Sequence, residues 1–248
     1  FSGIPIAFGL SFVSVALLVA FEGIQMLDVF AETFYAGLNS FVLLSIPMFI
    51  LMGMAVAHSP AGKDLYTGLD RWLWRVPGGL VISNIGACSI FAALSGSSPA
   101  TCAAIGTMGI PEMRKRGYSD EIATGTIAAG GTLGVLIPPS IVLIVYGMAT
   151  GTSIGRLFLC GIVPGFMLAS LFALWALIHS YFIDKDSAKR LRNRKPPTLK
   201  EKLEVLPRIF PFLAIIAGVL FVLYGGVATP SEASGVGAFL VFVMIAVV

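Results

Sequence analysis

Residues 79–110 carry no charge, and in their middle stands Leu94-Ser95-Gly96-Ser97-Ser98-Pro99-Ala100-Thr101. The approach runs from Gly78-Gly79 through Leu80, Val81 and Ile82 to Ile90, Phe91, Ala92 and Ala93, and Cys102 to Ile110 leads away equally uncharged. Hydroxyls, a glycine and a proline at the centre leave backbone groups without helical partners. Hydrocarbon offers no water in their place, so irregular backbone survives at membrane depth only where protein or a water-filled cavity receives it. The stretch is the first candidate for a binding site.

The whole chain suits that setting. Of its 248 residues, 57% are hydrophobic and only 12% charged, with mean hydropathy +0.93. A soluble domain carries about 25% charged residues, so the sequence predicts an all-α polytopic membrane protein. The 28 glycines fit helices that pack closely or break. Cys88, Cys102 and Cys160 are an odd set in apolar segments without a CxxC or Cys/His pairing, and read as small hydrophobes rather than disulfides. The chain starts at Phe1 without a methionine and stops inside the apolar run Phe239–Val248, so it is expected to be a piece of a longer protein. Nothing at its start has the pattern of a cleavable signal.

Ile4–Phe21 is an 18-residue apolar run, close to the ~20 needed to span a bilayer. Residues 22–40 hold Glu22, Asp28 and Glu32 with no Lys or Arg, and Leu27, Phe30 and Phe34 predict a short amphipathic helix. Phe41–Ala57 is a second span. Ser59-Pro60 then reads as a helix start, and Leu65, Leu69, Trp72 and Leu73 beside Lys63, Arg71 and Arg75 predict an interfacial helix with tryptophan anchors. The two limbs 79–94 and 99–110 would reach roughly 24 and 18 Å as helices, short of a ~30 Å core. They read as a re-entrant hairpin with its tip at 95–99.

Ser119 is placed to cap the next helix, with Asp120 and Glu121 complementing its macrodipole. That helix is expected to break within Gly130-Gly131-Thr132-Leu133-Gly134-Val135-Leu136-Ile137-Pro138-Pro139 and to resume through Ile141–Ala149. After a turn over Thr150–Arg156, Leu157–Ile183 is a long span. Residues 184–208 form a basic connection in which Thr198-Leu199-Lys200-Glu201 has capping-box spacing, ahead of Leu199, Leu203 and Leu206. Ile209–Tyr224 spans again, Gly225–Ser234 turns, and a last span begins.

With the hairpin returning to its own side, segments 58–78, 109–119 and 184–208 share one face and hold 15 of the 16 Lys and Arg residues, leaving Arg156 opposite. The positive-inside rule makes that face cytoplasmic. A single crossing at 79–110 would scatter the charges over both faces.

The breaks at 95–99 and 130–139 lie in neighbouring elements and can meet near midplane. Unwound carbonyls and hydroxyls suit a hard cation such as Na⁺, and half-helix N-termini suit an anion. The Na⁺ candidates are Ser95, Ser97, Ser98, Gly130, Thr132 and Gly134. The substrate candidates are Ser98, Pro99, Ala100, Thr101, Pro138, Pro139 and Ser140. Against this stands the ordinary use of small residues in close packing and of serines in bonding their own helix; the pairing of two such motifs favours a site. His58 and His179 sit at span ends as interfacial residues, and Glu232 reads as a helix-start carboxylate. The chain has no HExxH, no GxSxG and no paired intramembrane aspartates, which argues against an enzyme. The basic run marks topology and a lipid surface, not nucleic-acid binding.

Residues 94–101, Gly109-Ile110-Pro111-Glu112-Met113, 130–140 and Gly225-Gly226-Val227-Ala228-Thr229-Pro230-Ser231-Glu232-Ala233, in that order, resemble the large membrane subunit of TRAP (tripartite ATP-independent periplasmic) transporters, DctM-like, over essentially the whole chain. The resemblance implies one inverted-repeat half of an elevator-type transporter, without the second hairpin and its sodium site. It implies a mobile part at 79–156, with scaffold at 1–78 and 157–248 beside a small DctQ-like membrane subunit in the bacterial inner membrane. A periplasmic binding protein would hand over a C4-dicarboxylate, sialic acid or similar carboxylate, and Na⁺ would drive uptake. No Lys or Arg lies near either break, so substrate charge would meet helix dipoles, bound Na⁺ or the second half. A single-component Na⁺/carboxylate symporter and a non-transporting structural subunit are the alternatives.

Overall fold

The computed structural model describes residues 4–183 and 196–247, all of whose regular elements are helical. Most of the basic connection, residues 184–195, thus lies outside the described residues. The chain divides into two compact units, residues 1–43 and 44–248. In the first, α1 (Ile6–Glu22) and α2 (Met26–Leu38) pack together, and Phe30 and Phe34 of α2 stack with ring centroids 5.8 Å apart.

The second unit contains α3 (Ser45–Ala57), α4 (Pro60–Trp72), α5 (Gly79–Ser95), α6 (Ser98–Lys115), α7 (Asp120–Gly131), the single turn α8 (Leu133–Leu136), α9 (Ile141–Thr150), α10 (Ile154–Ile178), α11 (Leu199–Tyr224) and α12 (Pro230–Val247). Among the described residues, stretches 120–150 and 154–182 are long and apolar enough to cross a membrane, and up to four spans result if each bent helix pair counts as one. The protein is a multi-pass helical membrane protein.

Local chemistry sets several boundaries. Ser119 Oγ accepts the Ile122 N–H at 3.4 Å and starts α7. Glu201 Oε2 accepts the Thr198 N–H at 2.8 Å in a capping box that starts α11. Glu232 accepts the Thr229 N–H and hydroxyl, both at 2.8 Å, ahead of α12. Each device works within four residues, so each is legible locally.

An expected boundary moves. The second limb does not stop at Ile110: α6 continues through Pro111 to Lys115. Proline costs an internal helix one N–H donor, a loss that neighbouring elements can absorb. The apolar part, 98–111, is still only about 21 Å long at 1.5 Å per residue. The expected break within 130–139 is present: α7 ends at Gly131, Thr132 makes one irregular turn, α8 follows to Leu136, and regular structure is lost at Ile137–Ser140 before α9. The glycines also serve packing. A Cβ on Gly130 would sit 2.9 Å from Cys88 Sγ, and one on Gly131 would overlap Cys102 Sγ.

The core lies around α5, which is buried along most of its length and packed by α3, α4, α6, α7, α8 and α10. Phe49 and Met52 of α3 are fully buried and pack towards α12, where Gly237 makes room for Met52 Sδ. At the charged ends of α4 and α6, Arg116 makes a two-pronged ion pair with Asp70, both bonds 3.0 Å, and donates to a second carboxylate, Glu112, at 2.6 Å. Partial burial works against the guanidinium's charge, but bonds and attraction from Asp70 and then Glu112 outweigh it and raise its proton affinity.

Of the cysteines, Cys88 is buried, Cys102 half-buried and Cys160 exposed, all as free thiols. His58 Nδ1 lies 3.0 Å from the Met54 carbonyl at the end of α3, and His179 stacks on Trp175 at 5.0 Å.

Candidate functional site: a hairpin tip on a broken helix

α5 and α6 form a helical hairpin: Asn84 Nδ2 reaches Met113 Sδ at 2.7 Å across the pair, and Ser95 Oγ lies 3.2 Å from Thr101 Oγ1 at the other end. The reversal takes two residues. Gly96 adopts φ +60°, a left-handed conformation that glycine alone enters without penalty, and its N–H closes α5 on the Ala92 carbonyl at 2.9 Å. Ser97 is extended and starts α6, with Pro99 in the first turn.

The tip is joined to the broken helix through its backbone. The Ile141 N–H, the first of α9, donates to the Gly96 carbonyl at 3.1 Å. A Cβ on Gly96 would lie 2.6 Å from the Pro139 carbonyl, and one on Gly134 would lie 2.7 Å from Ser98 N and 2.8 Å from Ser97 C. Both sides are therefore bare backbone in contact. Gly53 of α3 closes a third side, where a Cβ would come within 2.5 Å of Ser95 Cβ.

The candidate residues fall into three groups. Ser97, Ser98, Gly134, Pro139 and Ser140 lie at or beside this junction. Ser95 and Thr101 are there too, fully buried, but their hydroxyls are engaged by the tip itself: Thr101 Oγ1 donates to the Ser97 carbonyl at 2.8 Å, and Ser95 Oγ lies 3.4 Å from the same carbonyl. That carbonyl also takes the Thr101 N–H at 3.0 Å, which fills its lone pairs. Ser140 is buried and donates to the Val135 carbonyl at 2.6 Å, bridging the break. Pro138 is buried beside it, Pro99 is exposed and Ala100 half-buried. Thr132 is exposed and donates to its own helix at Ala129, and Gly130 meets Cys88 two turns before the tip.

One hydroxyl stands apart. Ser98 Oγ is buried and has no hydrogen-bond partner. A buried hydroxyl without a partner costs free energy that native proteins rarely leave uncompensated. Next to a stretch of bare backbone, it is the donor atom best suited to a hard cation.

Sequence reasoning missed the supports. Gly53 stands alone in an apolar helix and gave no pattern. Gly161 and Gly165 of α10 did, in the GxxxG spacing that lets backbones approach closely. A Cβ on Gly161 would meet the Leu136 carbonyl at 2.6 Å, and one on Gly165 would meet Ile137 Cγ1 at 3.1 Å, so this face of α10 receives the break.

A helical hairpin seated on a discontinuous helix, in a multi-pass apolar chain, is an arrangement of the kind met in secondary-transporter permeases. The model of the tripartite ATP-independent periplasmic transporter, DctM component, matches residues 1–248, and the chain belongs to that family. It is 39% identical over 240 residues to the C4-dicarboxylate TRAP transporter large permease protein DctM of Vibrio cholerae serotype O1, an alignment that covers 97% of this chain and 52% of that protein. It is 38% identical over 238 residues to the isethionate TRAP transporter permease protein DctMQ of Oleidesulfovibrio alaskensis, which covers 96% of this chain and 36% of that protein. The sialic acid TRAP transporter large permease protein SiaM of Vibrio cholerae serotype O1 is 31% identical over 245 residues, 96% of this chain and 54% of its own length. The chain spans about half the length of most curated relatives it matches.

Proposed function

We propose that a permease containing this chain carries out Na⁺-coupled uptake of an organic acid anion across the bacterial inner membrane. A periplasmic binding protein delivers the anion and a small DctQ-like membrane subunit supports the scaffold. The relatives named for C4-dicarboxylate, isethionate and sialic acid transport support an anionic cargo, beside two named for ectoine. The hairpin is re-entrant, entering and leaving from the cytoplasmic side, and residues 79–156 move together in an elevator step against scaffold at 1–78 and 157–248.

The observation that carries this reading is the junction of the hairpin tip with the restart of the broken helix. The Gly96–Ile141 bond and the Gly134–Ser98 contact tie the two discontinuities into one body, and Ser98 Oγ offers an uncommitted oxygen within it. Na⁺ as cargo would take that oxygen, and the N-terminal ends of α6 and α9 would face the substrate anion. The elevator step would slide the tip past Gly53 and the break past Gly161 and Gly165. Glycine suits such surfaces because no side chain interlocks there.

Uptake by the full-length permease, reconstituted with its small subunit, tests this. Labelled organic acids are offered on the binding protein with and without an inward Na⁺ gradient. The expected result is uptake that requires both the gradient and the binding protein and that Ser98→Ala reduces while assembly persists. Uptake indifferent to Na⁺ refutes the coupling, and uptake without binding protein favours a single-component symporter.

A further inference from the structure

Where α4 meets α11, two cations are held over two indoles. The Arg75 guanidinium carbon lies 5.2 Å from the Trp74 ring centroid, and Lys202 Nζ lies 5.8 Å from the Trp72 ring and 5.9 Å from the Trp74 ring. Arg71 pins the junction by donating to the Glu201 carbonyl at 2.7 Å. Beneath, Leu65, Val205 and Ile209 pack with Leu69, and Gly68 lets α11 come close. Among the described residues, neither Arg75 nor Lys202 has a carboxylate within 4.0 Å. Glu201 is turned into its helix cap.

Alongside these cations the surface is apolar and exposed: Trp72 is 53% exposed, Leu199 77% and Leu203 52%. A water-facing helix start would not carry them, whereas one lying at the level of lipid headgroups would bury them in the acyl boundary. Indoles prefer that same depth. Charge then selects the headgroup. An ammonium resting on an aromatic face keeps N–H donors for a phosphate while losing little rotamer freedom on binding.

We propose that the α4–α11 junction is a binding site for one anionic phospholipid. Its headgroup phosphate lies between Arg75 and Lys202, and its chains lie against Trp72, Leu199 and Leu203. The site is independent of the cargo path, so it stands or falls separately from the transport reading. Free phosphate would not satisfy it, because the apolar half would remain uncovered.

Native mass spectrometry of the intact permease, released from nanodiscs of mixed phosphatidylglycerol and phosphatidylcholine, reads the preference directly. Each cation near an anionic lipid surface is worth about fivefold in affinity. The pair Arg75→Gln with Lys202→Gln is expected to cut retained phosphatidylglycerol about 25-fold relative to phosphatidylcholine. The exchange Arg75→Lys with Lys202→Arg should keep it. Trp72→Leu with Trp74→Leu, which preserves every charge, should lose it several-fold. Arg114→Gln with Lys115→Gln removes two cations elsewhere and should change it less than twofold. An equal loss in that control pair, or full retention after the Arg75 and Lys202 changes, overturns the proposal. Displacement of the lipid by millimolar inorganic phosphate in wild type overturns it too.

Discussion

Ser95 and Ser98 stand three residues apart at the hairpin tip, yet alanine at the two positions is expected to move stability in opposite directions. Ser95 Oγ is buried between Thr101 Oγ1 at 3.2 Å and the Ser97 carbonyl at 3.4 Å, and it receives the Ser97 N–H at 3.4 Å. Hydrogen bonds contribute about 1 kcal/mol each, and these are long, so Ser95→Ala should cost about 1–2 kcal/mol with or without Na⁺. Ser98 Oγ is buried without a partner. Such a group costs about 1–3 kcal/mol, so Ser98→Ala should stabilise the Na⁺-free protein by up to that amount. If this oxygen is a ligand, Na⁺ stabilises wild type more than Ser98→Ala and narrows that gap. A ligand bound only by the folded state contributes RT ln(1 + [L]/Kd), about 2.7 kcal/mol at a hundredfold excess over Kd. Tenfold weaker binding leaves about 1.4 kcal/mol by the same relation. The assay is the unfolding midpoint of the purified full-length permease as Na⁺ replaces choline at constant ionic strength. Equal Na⁺ stabilisation of wild type and Ser98→Ala would refute the ligand role. A loss of stability in choline would show instead that the hydroxyl is already satisfied.

Gly96→Ala should destabilise by about 2–5 kcal/mol, combining the left-handed penalty with overlap against the Pro139 carbonyl. Gly151→Ala has a similar φ of +67° with nothing within 4 Å, so it should show the backbone penalty alone, and equal melting shifts for the two would refute the contact. Arg116→Gln leaves Asp70 without its two-pronged partner; because Arg116 keeps 26% side-chain exposure, a cost of about 2–3 kcal/mol is expected, below that of a fully buried pair, and an Asp70→Asn, Arg116→Gln double variant should recover part of it in the same melting assay. Glu201 is held below the ordinary carboxylate range by the Thr198 backbone N–H first and its side chain second. A depressed folded pKa stabilises above the unfolded value and is lost as pH falls through the folded one. Amide exchange at the start of α11, corrected for intrinsic rates, should therefore quicken only below the usual carboxylate range, and Glu201→Ala should abolish that step.

What the sequence determined by itself was whatever neighbours within a few residues decide. The membrane setting follows from composition. The caps at Ser119, Thr198–Glu201 and Thr229–Glu232 follow from side chains that reach their own helix's first N–H groups, and the turn at Gly96-Ser97 follows from a glycine free to take positive φ ahead of the Ser98-Pro99 helix start. Glycine is where local reasoning stopped short. Poor helix propensity at Gly130 and Gly131 marks the break, where α7 ends, but not what those glycines pack against. Their partners, Cys88 and Cys102, lie far away in sequence, and close approach of α7 to the hairpin offsets the propensity. The same holds for α6, which continues past Pro111 to an end where Arg116 finds Asp70 some 46 residues upstream. Only the tertiary structure decided that the Gly96 carbonyl receives Ile141, that Ser95 and Thr101 satisfy each other, and that Ser98 is left over. A carbonyl's partner across two helices has no local signature. It exists because glycines at 53, 96, 134 and 161 remove the side chains that would have held those backbones apart.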